Sequence, residues 1–96
     1  MAAYNATKGA LINLTRHLAA QWGEVRVNAL APGYFSTELT GFLADPGFAC
    51  SIREHTLLAR TPTLNELDGP LLFLATSASS YMTGQTLVID GGWTAV

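Results

Sequence analysis

The chain has 96 residues, of which 49% are hydrophobic and 12% are charged, and its formal net charge is −2. This length allows one small domain. A charged fraction below the usual value of about 25% predicts that part of the apolar surface is covered by groups outside this chain. The scattered charges form no basic stripe and no apolar run approaches the roughly 20 residues that cross a bilayer, so neither nucleic acid nor a membrane is an expected partner.

The first predicted element is an amphipathic helix from Ala3 to Trp22. Its apolar positions recur every three or four residues with polar side chains between them. These positions are Leu11, Leu14, Leu18 and Trp22. Gly23 is expected to end this helix. Valines and an alanine then alternate with polar residues, which predicts a short strand from Val25 to Leu30.

A loop is predicted after this strand. Ala31-Pro32-Gly33 is expected to break the strand, because proline donates no amide hydrogen and glycine permits backbone angles that other residues resist. Two short helices are then predicted, around Glu38 to Ala44 and Phe48 to Leu58, with Asp45-Pro46-Gly47 as the breaker between them. Cys50, the single cysteine, falls in the second helix and is interpreted as a reduced, buried thiol.

The last third of the chain predicts one more helix and one more strand. Thr63-Leu64-Asn65-Glu66 fits a capping box and predicts a helix that runs to about Thr76. Gly69-Pro70 lies inside this helix, so a kink or a staggered start is expected. Gln85 to Ile89 is typical of a second strand, ended by Asp90-Gly91-Gly92. Strands separated by long helical connections pair in parallel, which predicts an α/β fold.

Tyr4 and Lys8 stand four residues apart near the start of the first helix and therefore share one of its faces. A neighbouring ammonium favours the phenolate form of a tyrosine and lowers its pKa, so that the phenol can exchange protons near pH 7. The pair alone is weak evidence, since a Tyr-x-x-x-Lys spacing arises by chance in roughly one chain of this size in ten. A surface lysine lying over a tyrosine ring is the plainer interpretation of an isolated pair.

Four segments, taken in order, resemble the short-chain dehydrogenase/reductase family across practically the whole chain. They run from Tyr4 to Ala10, from Arg26 to Gly33, from Thr83 to Gln85 and from Asp90 to Gly92. The resemblance implies the C-terminal part of a Rossmann-type, doubly wound parallel sheet, with residues 1–96 as a single partial domain in the order helix, strand, helices, strand. It also implies NAD or NADP as the cofactor and a small-molecule alcohol or carbonyl compound as the substrate.

The same resemblance implies roles for individual residues. Tyr4 would be the acid/base that exchanges a proton with the substrate oxygen, and Lys8 would assist the phenol and hydrogen-bond the nicotinamide ribose. Pro32-Gly33 and Thr37 match the family's Pro-Gly-x-x-x-Thr loop, which lies against the nicotinamide. The backbone around Phe35 would share that contact. Taken alone, Pro32-Gly33 is an ordinary turn.

Other conspicuous residues are interpreted structurally. Asn28 is expected to tie down the end of the first strand, and Gly91-Gly92 to form a simple exit turn. His17 and His55 have no metal-ligand spacing, so no metal is proposed. Four large aromatic residues are candidates for a substrate pocket, a core or an interface, and Tyr34 has the best functional case because it adjoins the predicted nicotinamide loop. The four are Trp22, Tyr34, Phe42 and Trp93.

The chain departs from the family because it contains no Gly-x-Gly element for the pyrophosphate and no catalytic serine ahead of Tyr4. Three accounts remain open: part of an active enzyme, an inactive truncated product, or a small oligomerising interaction module. Resembling enzymes associate through the Tyr4-type helix and the last helix and strand, so a homo-oligomer, either a dimer or a tetramer, is expected. The start of the chain resembles no secretory signal, which predicts a cytoplasmic location.

Overall fold

A computed structural model of the protein describes residues 2–35 and 45–95. The helices are α1 (Ala2–Gln21), α2 (Pro46–His55) and α3 (Asp68–Ala75), and the strands are β1 (Ala29–Pro32) and β2 (Thr86–Ile89). Short 3-10 helices span Leu64–Leu67, Ser77–Ser79 and Trp93–Ala95. The predicted helix from Glu38 to Ala44 and the predicted cofactor contact Thr37 lie outside the described residues, as do the side chains of Tyr4 and Asn5.

The two strands form a parallel sheet. Ala29 lies opposite Thr86, and Pro32 lies opposite Ile89. Helices α2 and α3 lie in the connection between the strands. Parallel strands need such a long crossover connection, whereas antiparallel strands can be joined by a tight turn. The α/β prediction is therefore confirmed, and β2 lies where the sequence predicts it.

Strand β1 differs from its prediction, which covered Val25 to Leu30. Residues 25–28 form a loop bonded to the loop before β2: the Val27 amide donates to the hydroxyl of Thr83 at 3.0 Å, and the Gly84 amide donates to the Val27 carbonyl at 2.7 Å. The alternation of apolar and polar residues therefore continues through residues 25–28, although their backbone hydrogen bonds are not those of a β-sheet. Local pattern alone cannot distinguish the two cases.

Pro32 does not break β1 but ends it. The amides of Ala29 and Gly33 donate to the carbonyls of Gln85 and Ile89, both at 2.8 Å. In a parallel ladder alternate residues donate to the same neighbour, so the nitrogen of Pro32 faces away from β2 and no ladder bond is lost. The strand ends within Ala31-Pro32-Gly33, as predicted, but Ala31 and Pro32 still pair with Val88 and Ile89.

Helix α1 packs on the sheet through a narrow strip near its C-terminal end. Thr15 and Ala19 are buried, and Ala19 lies against Gly84, whose missing β-carbon would be 3.5 Å from that of Ala19. Leu11 and Leu14 are 55% and 47% exposed. The predicted amphipathic helix is confirmed, with part of its apolar face exposed. In the described part of the chain, no helix is both long and apolar enough to span a membrane.

Helix α2 begins at the segment predicted to be a breaker. The carboxylate of Asp45 accepts the amide of Gly47 at 3.1 Å, and Pro46 occupies the first helical position. An N-cap aspartate followed by proline favours a helix start, because proline lacks the amide that a first turn leaves unpaired. The helix ends at His55. Cys50 is exposed, with its sulfur 3.7 Å from a carboxylate oxygen of Glu54, so its interpretation as a buried thiol is wrong.

Helix α3 has the staggered start that the sequence predicts. A carboxylate oxygen of Glu66 accepts the backbone amide of Thr63 at 2.9 Å, and the 3-10 turn Leu64–Leu67 leads directly into α3. Pro70 is the third residue of α3 and therefore lies in its first turn, where backbone amides have no partner within the helix. The proline is accommodated without a lost hydrogen bond.

Candidate functional site

The chain leaves the carboxyl end of β1 through Pro32, Gly33, Tyr34 and Phe35, here called the β1 loop. Pro32 and Tyr34 are exposed, whereas Phe35 is buried with only 6% of its surface accessible. Open α/β sheets bind their ligands just beyond the carboxyl ends of the strands. A loop anchored by one buried ring and presenting exposed residues on either side of Gly33 is suited to such a site.

Gly33 holds the β1 loop close to the end of β2. A β-carbon built on Gly33 would be 2.9 Å from the Cα of Asp90 and 3.0 Å from its Cβ. The first of these atoms belongs to the backbone and cannot rotate away. Only glycine therefore permits this approach of the two strand ends.

Asp90 organises the turn that follows β2, Asp90 to Thr94. Its carboxylate accepts the hydroxyl of Thr94 at 2.7 Å and the amide of Gly92 at 2.9 Å. Partial burial raises the pKa of Asp90, but the hydrogen bonds from Thr94 and Gly92 outweigh it and hold that pKa below its ordinary value. The carboxylate is thus kept ionised and in place, and the turn is fixed by its own side chain.

Gly91 and Gly92 do more than form the exit turn predicted for them. Both have positive φ, 65° and 91°. A β-carbon on Gly92 would be 2.7 Å from the Cβ of Leu57, and the Leu58 amide donates to the Gly91 carbonyl at 3.1 Å. The segment that follows α2 therefore packs directly on the glycine backbone.

Four rings cluster beside the β1 loop. Tyr34 makes edge-to-face contacts with Phe48 and Trp93, with centroids 5.4 and 5.1 Å apart. The imidazole of His55 lies 5.4 Å from the Trp93 ring. Tyr34 and Trp93 were both among the predicted aromatic candidates, with Tyr34 preferred, whereas Phe48 and His55 were missed. Their spacing of seven residues, two turns of α2, was the available signal.

His55 is oriented by its own helix. Its Nδ1 lies 2.7 Å from the Ser51 carbonyl oxygen, which can only accept, so Nδ1 carries the hydrogen in this contact. Among residues 2–35 and 45–95 no three His, Cys, Asp or Glu side chains are grouped to hold a metal ion.

A small cavity of about 80 Å³ lies under the β1 loop, between α2 and the end of β2. Its walls include Phe35, Ile52 and Trp93, and the Arg60–Glu66 ion pair, with atoms 2.7 Å apart, lies at its edge. Ligand pockets have volumes of about 300 Å³ or more. This cavity is too small for a dinucleotide.

The C-terminal part of α1 lies beside the start of β2. A β-carbon on Gly84, just before β2 begins, would be 3.5 Å from that of Ala19. Tyr4 and Lys8 belong to the same helix, and Lys8 precedes Ala19 by eleven residues, about 16 Å along the helix axis.

Two side chains fix the approach to β1. The guanidinium of Arg26 donates to the carbonyl and the hydroxyl of Ser79 at 2.8 and 2.7 Å. Asn28 donates to the Met82 carbonyl and accepts the Gln85 amide, at 3.0 and 3.1 Å. Asn28 is therefore structural, as predicted, but it holds the start of β1 rather than its end. The role of Arg26 was missed, because its partners lie about 50 residues away in the sequence.

Comparison with known proteins gives one family match. The family model described as enoyl-(acyl carrier protein) reductase matches residues 1–94. Gluconate 5-dehydrogenase of Gluconobacter oxydans is 45% identical over 98% of this chain, and sorbose reductase of Schizosaccharomyces pombe is 44% identical over 96%. The chain spans only 38% and 36% of the lengths of these two relatives.

Solved structures agree with the sequence comparison. The gluconate 5-dehydrogenase from Burkholderia cenocepacia, in complex with NADP and tartrate, superposes on all of this chain with a TM-score of 0.91 and 42% identity. A 4-hydroxyisoleucine dehydrogenase complexed with NADH superposes on 99% with a TM-score of 0.90 and 35% identity. The chain covers 39% and 40% of these two structures.

Proposed function

The chain belongs to the short-chain dehydrogenase/reductase family, and from this premise we propose that it forms the acid/base and nicotinamide-binding part of an NAD(P)-dependent oxidoreductase. The reaction interconverts an alcohol and a carbonyl group in a small molecule. One observation carries the proposal: the β1 loop leaves the carboxyl end of a parallel sheet, with Gly33 packed on Asp90, at the edge where α/β sheets bind their ligands.

Tyr4 is the proposed proton donor and acceptor. When bound, the nicotinamide supplies or accepts the hydride at the substrate carbon. The phenol of Tyr4 donates its proton to the oxygen as a carbonyl is reduced and removes it as an alcohol is oxidised. The ammonium of Lys8, one helical turn away, stabilises the phenolate that this exchange generates and also binds the ribose hydroxyls of the cofactor.

The residues present fit one end of the cofactor. In the β1 loop, Pro32 and Tyr34 offer exposed surface, and Gly33 leaves no side chain between that loop and Asp90. Thr37 is the proposed contact of the carboxamide, together with the backbone at Phe35. No two glycines of the sequence are separated by one residue, so a pyrophosphate-binding Gly-x-Gly turn must come from outside these 96 residues.

The substrate proposed is a small polyhydroxylated acid or sugar alcohol, and the cofactor either NAD or NADP. The relatives named for gluconate and sorbose support this substrate class, and the structures holding NADP and NADH support both cofactors. A second candidate, an oligomerising interaction module, is favoured by one observation: Leu11 and Leu14 on α1 are half exposed. The same face supports a homodimer or homotetramer of the enzyme.

A reconstituted enzyme tests the proposal. The part of the Gluconobacter gluconate 5-dehydrogenase that precedes its matched segment is joined to residues 1–96, giving what is here called the completed enzyme. We expect it to oxidise gluconate with NADP or NAD. The 96-residue chain alone is expected to show no turnover and, by calorimetry, no micromolar affinity for either dinucleotide. A folded completed enzyme that binds the dinucleotide without turnover would contradict the oxidoreductase proposal and favour the interaction module.

A further inference from the structure

The turn from Asp90 to Thr94 contacts both segments that border the proposed site. On one side Gly33 of the β1 loop packs on Asp90, and the ring of Tyr34 contacts Trp93. On the other side the Leu57 side chain packs on Gly92. The β1 loop and the region of α2 thus share a neighbour, although at least ten residues separate them in the sequence.

Trp93 contacts both of these segments, which also touch each other directly through Tyr34 and Phe48. Its ring lies between the Tyr34 ring, 5.1 Å away, and the His55 imidazole, 5.4 Å away. Phe48 lies two turns before His55 on α2, and its ring also contacts that of Tyr34. The Tyr34–Trp93 pair is edge-to-face, with 65° between the ring planes, and the Trp93–His55 pair is tilted at 32°. Aromatic pairs have preferred geometries, so both contacts favour particular orientations of the indole.

The base that carries Trp93 is rigid. The amide of Trp93 donates to the Asp90 carbonyl at 3.2 Å, and the Asp90 carboxylate holds the amides of Gly92 and Thr94. A tryptophan on a fixed turn, between a loop and a helix, sets the separation of those two elements.

We propose that Trp93 is a positioning residue that fixes helix α2 relative to the β1 loop, and thereby holds the β1 loop in the position from which it contacts the nicotinamide. The proposal rests on the proposed function. It predicts that losing the indole disturbs alignment more than cofactor affinity, because the pyrophosphate is bound by residues outside this chain.

Hydrogen exchange on the 96-residue chain tests the coupling without any need for activity. In Trp93→Ala, amides of α2 and of Gly33 to Phe35 are expected to exchange faster, and Trp93→Phe should restore most of their protection. Trp22→Ala removes the other tryptophan, which is 49% exposed, and should leave these amides unchanged. Faster exchange confined to residues 90–95 would overturn the proposal.

Kinetics of the completed enzyme separates positioning from general destabilisation. Trp93→Ala should lower kcat about tenfold, the scale expected when reacting groups are misaligned, while the dissociation constant for NADP changes less than about threefold. Trp93→Phe should recover most of kcat. Equal losses in kcat and NADP affinity, or a Trp93→Phe variant as impaired as Trp93→Ala, would refute the positioning role. An inactive completed enzyme would refute the proposed function, and the exchange experiment would still decide the coupling.

Discussion

Gly33 and Asp90 lie so close together that a β-carbon on Gly33 would be 2.9 Å from the Cα of Asp90. Each residue directly follows a strand, and the Gly33 amide donates to the carbonyl of Ile89, the residue before Asp90, at 2.8 Å. The glycine thus continues the sheet by one hydrogen bond and brings the β1 loop against the turn after β2. This contact joins the two strand ends at the proposed site.

Gly33→Ala is expected to destabilise the completed enzyme by about 1–3 kcal/mol, the usual cost of forcing extra volume into a packed contact. NADP affinity should fall as well, because the β1 loop must move. Gly69→Ala is the matched control, since nothing lies within 4 Å of a β-carbon at Gly69. Urea unfolding and calorimetric titration measure the two effects. Equal stability of the two variants would show that the loop moves freely away from Asp90.

Tyr4→Phe should reduce turnover of the completed enzyme by at least about 100-fold, because the ring is retained and the exchangeable proton is lost. Tyr81→Phe provides the control, since Tyr81 is fully exposed and remote from the β1 loop in sequence. Steady-state rates at saturating NADP and gluconate give the comparison. Near-normal turnover in Tyr4→Phe would remove Tyr4 from the mechanism.

Lys8→Met should reduce turnover and move the pH-rate profile to higher pH. Without the ammonium the phenolate is less favoured, so a higher pH is needed to reach the same ionised fraction. Arg16→Met, two turns further along α1 and also exposed, removes a cation without this expected shift. If the Lys8→Met profile coincides with that of the unmodified enzyme while the KM for NADP rises, Lys8 acts only as a ribose contact.

In Glu66→Gln, the free energy of unfolding should fall less steeply as the pH decreases from 7 to 3. Hydrogen bonding to Arg60 and to the Thr63 amide lowers the pKa of Glu66 from 4.5 to about 2. Because the folded-state pKa lies below the unfolded one, this carboxylate stabilises the fold above about pH 4.5, and the contribution disappears as the pH falls toward 2. Urea unfolding from pH 7 to pH 3 measures the slope. Since the Arg60–Glu66 pair is exposed, 1 M salt should reduce the difference in unfolding free energy between Glu66→Gln and the unmodified protein.

The 96-residue chain is expected to self-associate, since an isolated two-stranded sheet is marginal in water and the apolar face of α1 is exposed. Leu11→Glu should lower the average mass measured by light scattering, because a charge on this face opposes its burial. Ala20→Glu adds the same charge on the opposite side of α1 and should change the mass little. A monodisperse unmodified chain of monomer mass, with strongly protected strand amides, would disprove the association.

Much of the fold follows from sequence patterns that act locally. The period of Leu11, Leu14 and Leu18 specifies α1, and the β-branched run before Asp90 specifies β2. The limits of β1 did not follow, because Val25 to Asn28 alternate as a strand does, while the Val25 amide donates to the Trp22 carbonyl and Val27 bonds to the loop before β2. Whether a segment pairs as a strand depends on its partner strand. A partner more than 50 residues away cannot be recognised from the local sequence pattern.

For the candidate site, the sequence by itself determined which residues are proposed to carry the chemistry: Tyr4 and Lys8 on one helical face, and a Pro32-Gly33 loop after a strand. Tertiary structure alone decided how that loop is held. The contact of Gly33 with Asp90 and the position of Trp93 between Tyr34 and His55 join segments far apart in the chain. Short-range periodicity encodes faces of helices and strands, but such contacts arise only when packing brings the faces together.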